Sequence, residues 1–310
     1  MSAADTGARP TVIRERLDGD AAAEVSALVE RARAEDGVSA LNEQALLRLR
    51  DRGGRVRHVL GYDSDRLVAY AQLDLSLPRA DVAAECVVDP AHRRAGWASA
   101  VVQRALAEID GAPMLVWSHG DHPGAAKLAK RLGFRRVRDL WQLRRELGGA
   151  AALPNVRLPV GVTVRTFHTG QDDEAWLALN ARAFADHPEQ GAMDAGDLAA
   201  RTESEWFDPA GFFLAERSDQ DGARMVGFHW TKVHPGDVGE VYVVGVDPDE
   251  QGNGLGTALT LVGLHHLAER GMRSVRLYVE ADNAAAVRIY ERLGFAHVGT
   301  DTQYRHPGSR

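Results

Sequence analysis

The run QGNGLGT, residues 251–257, places Gly252, Gly254 and Gly256 at every second position. It lies between an apolar, β-branched stretch and a helix-like pattern whose Leu259, Leu261, Val262 and Leu264 mark a buried side. Uncapped backbone N–H groups at a helix N-terminus form an anion site, and glycine lets a diphosphate approach the main chain closely. A phosphate ligand is the natural expectation. A Walker loop would need Lys-Ser/Thr after its last glycine, whereas Gly256 is followed by Thr257 and Ala258. A dinucleotide fingerprint would need Gly-x-Gly-x-x-Gly near the start of a βαβ unit; this segment comes late in its block with Gly-x-Gly-x-Gly spacing. A glycine turn without any ligand stays open, although it accounts for one glycine more readily than for three. Two groups able to move protons flank the run: the carboxylate of Glu240, at the head of the apolar stretch, and the phenol of Tyr290, just before Leu293-Gly294-Phe295.

The elements that must hold these residues occur twice. ECVVDPAHRRAGWASAVVQRAL (residues 85–106) parallels VVGVDPDEQGNGLGTALTLVGL (residues 243–264), and AAKLAKRLGF (125–134) parallels AAVRIYERLGF (285–295). Each block reads as a helix (20–34; 172–185), strand-like runs (RLVAYAQLDL; RMVGFHWTKV) and the Asp-Pro strand. A helix, a further strand (MLVWSH; SVRLYVE), a short helix ended by Gly133 or Gly294 and a last strand follow. This order predicts a duplicated α/β or α+β sheet domain. The Gly- and Pro-rich residues 148–160 read as a linker, so the expected division is a domain over 1–147, a linker over 148–160 and a domain over 161–310.

Bulk properties narrow the class. A chain of 310 residues, 45% hydrophobic and 26% charged, has room for two globular cores. With a net charge of −7 and no Lys/Arg-rich tract, it lacks the footprint of a nucleic-acid binder. Cys86 is the single cysteine and so forms no internal disulfide, which favours a reducing, cytoplasmic setting. No stretch approaches the ~20 apolar residues of a membrane span, and MSAADTGARP has no signal-peptide core. A soluble cytoplasmic monomer is expected.

Gln-x-x-Gly-x-Gly at a strand-to-helix junction, Asn283 opening a short helix and Tyr290-x-x-Leu-Gly-Phe together resemble the GNAT acetyltransferase superfamily. The first-half run Arg93-Arg94-Ala95-Gly96-Trp97-Ala98 fits the looser form of the same motif. The resemblance implies two tandem GNAT domains, each a mixed, mostly antiparallel twisted sheet flanked by helices, with acetyl-CoA as co-substrate. It places Gln251, Gly252, Asn253, Gly254, Leu255, Gly256 and Thr257 on the CoA diphosphate and the backbone of Val244, Gly245 and Val246 along the pantetheine arm. Asn283, Ala284, Ala285, Ala286, Val287 and Arg288 lie further along CoA, and Tyr278 lies at the substrate. Helix capping is the competing role for Asn283. In the first half the corresponding residues are Cys86, Val87, Val88, Arg94, Ala95, Gly96, Trp97, Ala98 and Ser99. Trp97 and Ala98 depart from the small-residue turn, and bulk there is expected to narrow the phosphate cradle.

Amide formation from a thioester needs a neutral amine, a polarised carbonyl and an exit for the thiolate. Glu240 then reads as the base, acting through water, and Tyr290 as the acid to the CoA sulfur. Aligning the repeats sets Val82 opposite Glu240 and Ala129 opposite Tyr290, so the second half is the expected catalytic one and the first is expected to be inactive. An α-amine with a pKa of about 7.7 to 8.0 needs no strongly perturbed base.

A narrower resemblance, carried by AFADHPEQG, WFDP, GFHWTKVHP and GEVYVVGVDP, is to tandem members that acetylate the cysteinyl amine of cysteinyl-glucosaminyl-inositol. It implies acceptor contacts from Glu43, Glu189, Lys232 and Glu240 across a cleft between the halves. His187, His229 and His234 share these segments, and His265-His266 are adjacent; no spacing suits a metal, and none is predicted. The alternatives are another amine acceptor, an aminoglycoside or a peptide N-terminus, and a non-catalytic acyl-CoA sensor.

Overall fold

The computed structural model describes residues 9–50, 56–76, 81–148, 152–185, 190–219 and 222–308. The first half runs β1 (Thr11–Arg14), α1 (Gly19–Asp36), α2 (Glu43–Leu47), β2 (Val56–Asp63), β3 (Arg66–Asp74), β4 (Val82–Val88), α3 (Trp97–Ala107), β5 (Met114–Ser118), α4 (Pro123–Arg131) and β6 (Arg135–Glu146). The second runs β7 (Val162–Thr166), α5 (Asp173–Ala183), α6 (Ala195–Thr202), β8 (Phe212–Asp219), β9 (Gly222–His234), β10 (Val238–Val246), α7 (Leu255–Glu269), β11 (Ser274–Glu280), α8 (Ala284–Arg292) and β12 (Ala296–His306). The chain divides into two compact units. One holds residues 1–141, 280–282 and 299–310; the other holds 142–279 and 283–298.

In the first unit the strand order is β1-β2-β3-β4-β5-β12. Neighbouring strands are antiparallel except β4 and β5. Helix α1 is capped by Asp18, whose side chain accepts from the Ala21 N–H, and closed by Gly37 at φ 72°. It buries Val25, Leu28, Val29 and Ala32 on one sheet face with Leu60, Tyr70 and Val87, while α3 buries Trp97, Val101, Val102 and Ala105 on the other with Val59, Val68 and Leu73. The second unit repeats the plan, with β11-β10-β9-β8-β7 and β10/β11 as its parallel pair. Helices α5 and α6 cover one face through Trp176, Leu179 and Leu198 against Phe212, Phe228 and Trp230. Helix α7 covers the other through Leu255 and Leu259 against Ala215 and Val226.

The compact units do not follow the halves of the sequence to their ends. A division into 1–147 and 161–310 leaves each half its own last strand, whereas β12 pairs antiparallel with β5 of the first unit, Thr302 opposite Ser118 and His306 opposite Met114. The tail of β6 lies with the second unit, where the Leu147 N–H donates to the Arg273 carbonyl at 2.7 Å.

Both parallel pairs are short. β4 and β5 pair only from Val82↔Met114 to Ala84↔Val116, and β10 and β11 only from Val238↔Ser274 to Glu240↔Arg276. Beyond those points each pair splays, leaving the later peptide groups of β4 and β10 without partners from β5 and β11. The Asp-Pro that follows each strand is structural: the Asp89 carboxylate accepts from the Ala91 N–H and binds Arg31 and Arg66. Asp247 accepts from the Asp249 N–H and binds Arg182 and Arg224.

Candidate active site

At the mouth of the splay in the second unit, Glu240 is 7% exposed. Its Oε2 lies 2.7 Å from His234 Nε2 and accepts from Arg276 Nε at 2.8 Å. Burial alone would raise the Glu240 carboxyl, but the hydrogen bond with His234 and the charge of Arg276 outweigh it and hold the group below the ordinary glutamate range. Glu240 is therefore an anion at neutral pH. Lys232 stands directly opposite it on β9, its ammonium 3.9 Å from the centre of the Trp206 ring and 5.2 Å from that of Tyr242. Arg276 also lies 5.9 Å from the Tyr278 ring centre. Glu240, Lys232 and Tyr278 thus meet on one face of β9, β10 and β11.

Tyr290 is buried on α8, edge-on to Phe295. Among the described residues its hydroxyl makes no hydrogen bond, and burial pushes its pKa up to about 12, so it is a neutral phenol. No hydrogen bond joins it to Glu240.

The glycine run forms the predicted turn. Gly252 and Gly254 have φ of 82° and 89°, the left-handed region, and a Cβ at either would meet nothing within 4 Å. Gly254 is the N-cap of α7 and offers no side-chain cap; the Leu255 N–H donates to Asn253 Oδ1 at 3.0 Å. The Leu255 side chain is buried, so this residue presents only backbone to the turn. Asn283 caps α8 by accepting from the Ala286 N–H at 3.1 Å. Ala284, Ala285 and Arg288 are exposed, whereas Val287 faces inward.

Gly245 is not at the bulge of its strand, and it has a packing reason of its own. The irregularity in β10 lies at Tyr242, between Val241 and Val243. A Cβ on Gly245 would meet the Phe228 ring at 2.7 Å and Phe184 at 3.2 Å, so this glycine admits an aromatic core.

In the first unit the equivalent splay holds a cavity of about 500 Å³, lined by Cys86, Val88, Arg94, Gly96, Ala98 and Ser99 among others. Trp97 does not narrow it. Like Leu255 in the second unit, its side chain is buried in the core, at 2% exposure beside Val101 and Val59. Arg94 takes the left-handed conformation of Gly252, at φ 62°. Desolvation in this wall pushes the Cys86 thiol up to about 12. His119, also on the wall, sits 2.9 Å from Asp301 and 3.2 Å from Glu85. Burial opposes its charge, but the two carboxylates prevail and raise the imidazolium to about 10.

The sequence pattern of the acetyltransferase (GNAT) family matches residues 25–134 and 175–295. The mycothiol acetyltransferase of Thermomonospora curvata is 51% identical over 299 residues, 96% of this chain and 98% of its own. That of Geodermatophilus obscurus is 52% identical over 300 residues, 94% and 96% of the two chains. The chain belongs to the GNAT acetyltransferases, in the mycothiol acetyltransferase family. Solved structures agree on the fold. A GCN5-related N-acetyltransferase from Sphaerobacter thermophilus superposes with TM-score 0.65 at 24% identity, over 96% of this chain and 95% of that one. A tandem GNAT protein from the clavulanic acid biosynthesis pathway gives 0.72 at 17% identity, over 96% and 98%.

In this GNAT acetyltransferase, the predicted acceptor residues Lys232, Glu240 and Tyr278 come together, while Glu43 opens α2 in the first unit. Glu189 and His187 lie outside the described residues. The partners of Glu240 were missed. Arg276 carries no motif, and His234, inside GFHWTKVHP, was weighed only as a metal ligand, although the short Pro235-Gly236-Asp237 hairpin turn sets His234 and Lys232 beside Glu240 by period-two alternation. The remaining histidines go separate ways. His229 is buried with Nδ1 2.7 Å from the Leu259 carbonyl, and burial lowers it to about 4. His265 bonds the Pro154 carbonyl and His266 packs edge-on to Phe213. Among the described residues no cluster of three metal-ligating side chains occurs, and no helix is long and apolar enough to cross a membrane.

Proposed function

We propose that the protein transfers the acetyl group of acetyl-CoA to the cysteinyl amine of cysteinyl-glucosaminyl-inositol, giving mycothiol and CoA, as a cytoplasmic monomer. The observation that carries this reading is the buried, ionised Glu240 where β10 parts from β11, facing Lys232 and Tyr278. Glu240 takes the proton of the acceptor ammonium, directly or through one water. The free peptide groups of β10 at Val244 to Val246 align the pantetheine arm and polarise the thioester carbonyl. The backbone from Gln251 to Thr257 and the open N-terminus of α7 receive the diphosphate, while Asn283 to Arg288 flank the CoA arm. Tyr290, neutral because it is buried, gives its proton to the departing thiolate. The narrower resemblance adds Glu189 to acceptor recognition.

The acceptor itself carries a thiol, so transfer is followed by mass analysis of the product rather than by a thiol reagent. Incubation with acetyl-CoA and the cysteinyl pseudodisaccharide should yield a product heavier by one acetyl group on nitrogen. Glu240→Ala should abolish most transfer while leaving acetyl-CoA affinity nearly unchanged; a mutant as fast as wild type removes Glu240 from the mechanism.

A second reading applies to the first unit, favoured by its cavity of about 500 Å³, within the usual range for ligand sites. There the unit holds acyl-CoA without turning it over, since Val82 and Ala129 stand where Glu240 and Tyr290 stand in the second. Calorimetry should then count two CoA per chain, and one per chain after Gly96→Val.

A further inference from the structure

A lysine reads a ligand poorly when its four-carbon stem is loose, because binding must then remove the rotamer freedom of that stem. Lys232 is held. Its ammonium lies 3.9 Å from the centre of the Trp206 ring and 5.2 Å from that of Tyr242, and both rings attract its charge through their π-electrons. The first ring has no room to recede. Trp206, in the segment between α6 and β8, rests on Trp230 with 5.6 Å between ring centres; Trp230 stacks on Phe212 at 4.4 Å, and Phe212 on Phe167 at 4.3 Å. Trp230 and Phe212 are fully buried, so Trp206 is the outer end of a column of rings rooted in the core. The second ring is fixed from α6. Tyr242 is the extra residue at the irregularity of β10, where a bulge re-aims a side chain. Its hydroxyl accepts from Arg201 Nε at 2.8 Å, and Arg201, itself buried, donates from Nη1 to the Asp197 carbonyl at 2.9 Å. The lysine so placed stands directly opposite Glu240 across β9 and β10.

We infer that Trp206 is a positioning residue for acceptor recognition: its ring holds the Lys232 ammonium in place to donate to a hydroxyl or amide oxygen of the cysteinyl pseudodisaccharide beside Glu240. This rests on the proposed role of Lys232 in binding that acceptor. An ammonium has three N–H donors and accepts nothing, so the group it reads is an oxygen. A ring face draws the charge without cancelling it, as a carboxylate in the same place would. The acceptor then meets a lysine already ordered, and the ordering is done by residues that never touch the reacting atoms. Within the run WFDP, residues 206–209, the other members have structural work: Phe207 packs edge-on to Trp230, and Asp208 accepts from the Ala210 N–H at 3.0 Å. Trp206 is only half-buried, and the face it gives to Lys232 is what joins this segment to the site.

The test uses the full chain with acetyl-CoA and the cysteinyl pseudodisaccharide, with product counted by mass. Trp206→Leu should raise KM for the pseudodisaccharide by about three- to thirtyfold, the range for a partly desolvated cation on an aromatic face, with KM for acetyl-CoA unchanged. Trp206→Phe keeps a ring face and should recover most of that loss. In a Lys232→Met background there is no cation to hold, and Trp206→Leu should add less than about twofold. An acceptor KM for Trp206→Leu within twofold of wild type, while Lys232→Met raises it, overturns the inference and leaves the lysine contact standing. Equal losses from Trp206→Leu with and without Lys232 also overturn it, because the ring then only packs. A Lys232→Met enzyme with the wild-type acceptor KM removes the lysine from recognition and the inference with it. Melting curves verify folding, and Trp206→Met replaces the leucine variant should that one unfold.

Discussion

Replacing Gly245 with alanine tests why β10 has a glycine one residue before its end. Gly245 does not have a left-handed φ, so alanine meets no backbone strain there. By itself the change would stabilise the chain by about 0.5–1 kcal/mol through the unfolded state. Against this stands the new methyl, 2.7 Å from two atoms of the Phe228 ring and 3.2 Å from Phe184. Phe228 is fully buried, with Trp176 edge-on at 5.3 Å, so the ring has nowhere to retreat and β10 must move. Overpacking of this kind costs about 1–3 kcal/mol, which wins, for a net loss of about 1–2 kcal/mol. At about 2–4 °C per kcal/mol, the melting midpoint should fall by about 2–8 °C. On the proposed reading, in which this backbone aligns the thioester carbonyl, a shift of about 1 Å should cost about a hundredfold in kcat. In a Phe228→Leu background the methyl has room, and the same substitution should become neutral or stabilising, a coupling of about 0.5–3 kcal/mol. Calorimetry on the four proteins of this cycle decides the matter. A Gly245→Ala protein that melts with the wild type, or a penalty of equal size in both backgrounds, refutes the packing explanation.

Tyr290→Phe should lower kcat by about 10²-fold with little change in the melting midpoint, because its hydroxyl makes no hydrogen bond among the described residues and is not one of the buried polar atoms left without a partner; an unchanged kcat would remove Tyr290 from the mechanism. Arg276→Met leaves burial as the leading influence on Glu240, so its carboxyl should rise and the acid limb of kcat/KM should move to higher pH, read from pH profiles of the two enzymes. In the wild type the depressed Glu240 pKa contributes stability above the unfolded glutamate range, lost as pH falls through the folded value. His119 has the opposite sign. Raised to about 10 from 6.5, it stabilises the fold fully below 6.5 and ceases to do so as pH climbs through about 10, so His119→Phe should flatten the alkaline arm of the stability curve measured by denaturant titration.

Much of this architecture is legible in the amino-acid order. The Asp-Pro, glycine-turn and Leu-Gly-Phe landmarks recur in both halves, and the period-two runs fall on β3, β9, β5 and β11. Gly252 and Gly254 adopt the backbone that favours glycine. What escaped the sequence is pairing. The runs that become β6 and β12 alternate in the same way, and nothing in a strand's own pattern names its neighbour, so the exchange of last strands had no local signal. The role of Trp97 was misjudged because a bulky residue beside a glycine turn does not reveal its direction; its position as first residue of α3 turns it inward, as it does Leu255. The meeting of His234 and Arg276 at Glu240 was invisible, since it depends on register across three strands.

The exchange of β12 has a consequence for synthesis. The strand that completes the amino-terminal lobe follows every other described strand in the chain, so that lobe must wait, with the outer edge of β5 bare, until the second half has been made. The two halves of the sequence are thereby a single folding commitment, and neither can be cut away without opening the sheet that holds the other's last strand.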